Sequence, residues 1–132
     1  MRTPYSRALW FLVLLLSLPL HAQEPPPDLA AIVGTYHGEA LNGGGLAPVT
    51  TVFRLASGNR LVGEYIVSDA RGTFHGTISN AFFEDGKLSV EWTDRDGEGY
   101  AEFTFSPDFR SFEGIWASYD SPNGSPWSGE KE

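Results

Sequence analysis

The side chains best suited to do chemistry in this sequence are aromatic. Tyr36, Tyr65, Trp92 and Trp116 each fall on a short segment of alternating apolar residues. On such a segment a ring faces a shared interior, while its hydroxyl or indole N–H remains a polar handle. Together the four fit an apolar-walled pocket for a small apolar or amphipathic ligand. Phe103, Phe105 and Phe112 belong to the same interior, and the competing reading is that all these rings are ordinary packed core. A second cluster is Asp94-Arg95-Asp96-Gly97-Glu98-Gly99. It sets Asp94, Asp96 and Glu98 at positions one, three and five with Gly at six, the opening half of a calcium loop. Position twelve, where a bidentate Glu closes such a site, is Phe105, and the flanks alternate like strands. An acidic hairpin turn is therefore expected, with no metal and no other cofactor. Histidines are His21, His37 and His75; the last two alternate with inward residues and so face solvent. No Gly-x-Ser-x-Gly, His-Glu-x-x-His or phosphate-cradling glycine loop is present. The chain reads as a binding protein and not an enzyme, with a hydrolase as the distant alternative.

Those side chains must be positioned by strands. Val49, Thr51, Phe53 and Leu55 alternate with Thr50, Val52, Arg54 and Ala56; Leu88, Val90 and Trp92 alternate with Ser89, Glu91 and Thr93; Ala101, Phe103 and Phe105 alternate with Glu102 and Thr104. This is the inside–outside pattern of half-buried antiparallel strands. Turn chemistry at Ser57-Gly58-Asn59, Asp69–Gly72, Glu84-Asp85-Gly86, Asp94–Gly99 and Pro107-Asp108 separates the runs. The predicted strands are 31–40, 48–56, 60–68, 72–80, 88–93, 100–106 and 111–118, with a possible short one near Trp127. The fold class is all-β: an antiparallel up-and-down meander of seven or eight short strands, closed into a small barrel, with a two-sheet sandwich as the alternative. Gly34, Gly63, Gly76 and Gly114 each sit between two bulky residues at i−2 and i+2. A missing side chain on an inward face lets a strand bend and leaves room for a ring from across the core. Asn42-Gly43-Gly44-Gly45 is expected to be a loose hairpin, or a loop able to close over a barrel mouth. Trp127, in a turn-rich stretch, is expected to plug one end.

The chain has 132 residues and no Cys, which excludes disulfide scaffolds, thiolate metal sites and Cys nucleophiles. Residues 1–22 carry Arg2 and Arg7, an apolar run from Ala8 to Leu20, and a terminal Ala22, the parts of a secretory signal peptide. Residues 23–30 contain three consecutive prolines and read as an extended linker; residues 31–132 form the single domain. Two of the nine basic residues and none of the seventeen acids fall in 1–22, so the remainder carries a formal charge of −10. That charge repels nucleic acid and anionic membrane surfaces. The partners it leaves are a small apolar molecule or a basic protein, the latter meeting a wall formed by Glu64, Glu91, Glu102 and Glu113. The expected protein is periplasmic or secreted, monomeric, and not inserted in a membrane after cleavage.

Gly34-Thr35-Tyr36, with Leu61-Val62-Gly63-Glu64-Tyr65 after it, resembles the start of an avidin-like barrel. It is also similar to the lipocalins, whose first strand carries Gly-x-Trp; Tyr36 stands here in the Trp position. The resemblance implies an eight-stranded barrel with a ligand inside. Tyr65 matches a biotin-contacting Tyr, and Trp92 a Trp-bearing strand. Val67 stands where that site needs a hydroxyl, so biotin is not the ligand expected.

Overall fold

The computed structural model describes residues 27–132; the signal-peptide reading and residues 23–26 of the linker lie outside them. One helical turn, α1 (Pro27–Ile32), precedes eight strands: β1 (Gly34–Asn42), β2 (Gly45–Ala56), β3 (Arg60–Asp69), β4 (Gly72–Glu84), β5 (Lys87–Asp94), β6 (Gly97–Phe105), β7 (Ser111–Ser118) and β8 (Ser121–Lys131). Each pairs antiparallel with the next, and β8 returns to β1 through Tyr36↔Lys131, His37↔Glu130 and Ala40↔Trp127, closing the barrel. Closure leaves no sheet edge to pair with another chain. The meander is therefore the barrel and not the sandwich.

Three elements differ from the sequence reading. Residues 27–32 are a helical turn, not linker and first strand. Ile32 is fully buried, and the chain is pinned by Lys131 Nζ donating to Ala31 O (2.6 Å) and Tyr36 Oη donating to Ile32 O (2.7 Å). A lysine on a terminal helical carbonyl satisfies an acceptor the helix itself leaves unpaired. β4 runs to Glu84, past the predicted end at 80, because a bulge between Ser79 and Phe82 lets it continue. The stretch around Trp127 is a full strand of eleven residues.

The inward glycines have a consistent partner. Phe53 pairs with Gly63, Tyr65 with Gly76, Trp92 with Gly99, Phe103 with Gly114 and Phe112 with Gly129. A Cβ at Gly76 would overlap the Tyr65 ring, and one at Gly114 would lie 2.7 Å from Phe103 Cδ1. The covering ring thus comes from the preceding strand of the sheet, not from across the core. Each pair lets a large ring lie down over the neighbouring strand inside a narrow lumen.

The two ends differ. At one end α1 and the β6–β7 loop close the barrel over Tyr36, Phe53, Phe105, Phe109 and Phe112, whose rings meet at centroid distances of 5.3–6.3 Å. At the other end stand four two-residue turns, of which Gly43-Gly44 has both φ positive (64° and 89°). That is the primed turn a two-residue hairpin requires. The Asn42–Gly45 segment is therefore a tight turn, too short to fold over the mouth.

Candidate functional site

The open end holds a half-open cavity of about 190 Å³ lined by Ala40, Asn42, Val49, Tyr65, Val67, Phe74, Trp92, Asp94, Asp96, Trp116, Ser118 and Trp127. Its walls come from alternation: Tyr65 and Val67 toward the end of β3, Phe74 at the start of β4 and Trp92 toward the end of β5 are buried inward positions beside the open-end turns. Trp92 and Trp116 meet edge to face at 5.5 Å, and Tyr65 meets Trp127 the same way at 4.9 Å. Edge-to-face pairs stabilise beyond their buried area by about 0.5–1.5 kcal/mol, so the box is held in shape by its own rings.

The indole N–H groups of the three cavity tryptophans are spent on the protein. Trp92 Nε1 donates to the carbonyls of Tyr100 (3.1 Å) and Ala117 (3.2 Å), Trp116 Nε1 to Leu41 O (3.1 Å), and Trp127 Nε1 to the buried Thr51 Oγ1 (3.0 Å). Tyr65 Oη donates to Asp94 Oδ2 at 2.7 Å. Burial first, and that bond second, hold the phenol protonated far above its ordinary range.

A polar rim surrounds the box. Asp69, whose side chain is 4% exposed, accepts from Arg71 Nη2 (2.9 Å), the Arg71 amide (2.7 Å) and Asn42 Nδ2 (3.1 Å). The Arg71 side-chain bonds hold its carboxyl below the usual range. Arg71 also bridges to Asp96 Oδ2 at 3.0 Å. The Arg95 guanidinium lies 4.1 Å from the Phe74 ring centroid.

Of the four residues chosen from sequence, Tyr65, Trp92 and Trp116 line this cavity and Tyr36 does not. Tyr36 sits in the closed end, with no exposed surface and its hydroxyl spent on Ile32 O. Alternation reports which face a ring takes but not its height in the barrel, and height separates Tyr36 from the others. Trp127 was expected to plug an end; it is instead a floor of the cavity, between Tyr65 and Phe103. The calcium pattern dissolves into a turn. Asp94 Oδ1 accepts the Asp96 amide (2.7 Å), Asp94 Oδ2 the Tyr65 hydroxyl, and Asp96 binds Arg71. Among the described residues no three His, Asp or Glu side chains converge as a metal site. His37 and His75 are exposed. The acidic wall is partly formed: Glu91, Glu102 and Glu113 stand on consecutive strands β5, β6 and β7. Glu64 on β3 is separated from them by β4 and is paired with Arg54 at 3.2 Å. The chain matches no protein-family model, and no curated protein is significantly similar to it.

Proposed function

We propose that this chain is an exported, non-enzymatic binding protein that holds a small apolar or amphipathic ligand in the open-end cavity. The observation that carries this reading is the asymmetry of the barrel. One end is closed by aromatic packing and α1, while the other keeps about 190 Å³ open between Tyr65, Phe74, Trp92, Trp116 and Trp127. Apolar cavities of ~150 Å³ hold a benzene-sized molecule, so the ligand is a single ring or a short chain, smaller than biotin or a lipocalin cargo. The avidin-like start of the chain supports the same arrangement by analogy only. A second reading, an acidic module for a basic protein, draws on Glu91, Glu102 and Glu113 beside the exposed Tyr100 and Ile115. An open cavity is unnecessary for that role, which places it second.

The test is native mass spectrometry of the mature protein recovered from an exporting host. A stoichiometric small-molecule adduct that disappears in Tyr65→Ala, with the variant still melting cooperatively, is the expected outcome. A bare polypeptide mass, together with no thermal shift across a library of ring-sized compounds, would count against the pocket and turn attention to the Glu-bearing face.

A further inference from the structure

We infer that the ligand carries an ammonium head on its ring-sized apolar body, an inference that rests on the cavity being a ligand site. The first argument is hydrogen-bond inventory. The donors of Trp92, Trp116, Trp127 and Tyr65 are all committed to protein acceptors, and Asn42 gives one of its two amide protons to Asp69, keeping one. Ser118 Oγ already accepts from the Asp120 amide (3.2 Å), leaving one hydroxyl proton. What the lining holds in surplus is acceptors, because an ionised carboxylate offers about four lone-pair sites and Asp94 fills two of them, with the Tyr65 hydroxyl and the Asp96 amide. A ligand that donates is matched to this lining; one that only accepts is not.

Charge gives the second argument. The ion pairs of Arg71 and Arg95, among the described residues, run to Asp69 and Asp96. Asp94 is left at the cavity edge with neutral donors as its partners, and a half-buried carboxylate so placed gains from a cation. The third argument is the wall itself. Tyr65, Phe74, Trp92, Trp116 and Trp127 all line the space, and the negative face of an aromatic ring attracts ammonium groups within ~6 Å. The same wall already holds one cation this way, Arg95 over Phe74 at 4.1 Å.

Three probes of one shape separate the possibilities: 2-phenylethylammonium, 2-phenylethanol and phenylacetate. They would be titrated into the mature protein at pH 7 and read by tryptophan fluorescence and calorimetry. The ammonium should bind about tenfold tighter than the alcohol or better, with the carboxylate weakest. In Asp94→Asn, whose amide oxygen can still accept from Tyr65, the ammonium's advantage should fall below about twofold while the alcohol is unaffected. If the alcohol or the carboxylate binds as well as the ammonium, the charge inference is wrong and the pocket stands. If none of the three binds at millimolar concentration, the pocket reading falls and takes this inference with it. The comparison of probes on the unmodified protein decides the matter even if the variant does not fold.

Discussion

Tyr36 and Tyr65 begin from the same sequence context, a tyrosine two residues after a strand glycine, and end with opposite tasks. Tyr65 leans over Gly76 into the cavity; Tyr36 is sealed at the closed end, where it hydrogen-bonds the carbonyl that ends α1. Burial pushes the Tyr36 phenol up from 10.0 to about 12, against a smaller opposing effect of Arg110. The sign of the consequence follows from proton binding. Between pH 10 and 12 the unfolded chain releases this proton and the folded chain keeps it, so the unfolded state binds fewer protons and stability falls as pH rises. Two pKa units correspond to on the order of 2–3 kcal/mol, present in full below pH 10 and lost by about pH 12. Tyr65 is shifted the same way and steepens the fall. Tyr36→Phe should therefore lose about 1 kcal/mol at pH 7 through the missing hydrogen bond and show a shallower decline from pH 10 to 12. Urea melts across that range check it; parallel declines for the two proteins would mean that Tyr36 ionises without unfolding the closed end.

At the scale of the element, β4 shows how one residue resets a strand. Phe74, Gly76 and Ile78 face inward with period two; Asn80, at φ 51°, then introduces a bulge, and Ala81 and Phe83 take the inward side while Phe82 is left exposed. A bulge inserts one residue and exchanges the faces of everything beyond it. Asn tolerates left-handed backbone where a β-branched residue does not. Asn80→Ile should cost about 1–2 kcal/mol, and Asn80→Gly should stay within about 0.5 kcal/mol of the parent in thermal melts. Equal losses for both would trace the bulge to the Asn side chain instead of its backbone. The same element marks the limit of what the sequence conveys. Alternation located β2, β3, β5, β6 and β7 to within about three residues at each end, because each has one buried face and a turn at either side. It stopped at Asn80 because the period breaks there. It nearly missed β8, whose inward positions are Ser125, Trp127 and Gly129 and whose outward ones include Pro122 and Pro126, so no apolar alternation exists to be seen. It missed α1 because one helical turn holds by Lys131, Tyr36 and the barrel end, contacts made about a hundred residues away or after folding.

For the whole molecule, register converts the list of inward rings into a site. Tyr65, Trp92 and Trp116 were legible as interior aromatics, but which end of the lumen they share depends on strand offsets that no local pattern encodes. Trp127 reads from sequence as a plug at one end, and not as part of the cavity, for the same reason: it joins the cavity because β8 closes onto β1 at Ala40↔Trp127. Closure thus builds the cavity as well as the barrel, and it can be separated from the bulk of one side chain. Trp127→Ala keeps the strand and removes a ring buried between Tyr65 and Phe103, at a cost of about 3–5 kcal/mol. Deleting residues 125–132 removes that ring together with the β1–β8 pairing, most of the β7–β8 pairing and the Lys131 bond to α1, leaving β1 and β7 as open edges that pair readily between chains. The point variant should melt cooperatively at a lower temperature and lose the cavity ligand. The truncated chain should show no cooperative transition in calorimetry and should self-associate in sedimentation. A truncated chain that melts as one unit would show instead that the meander from β1 to β7 is stable as an open sheet, and that β8 serves the cavity alone.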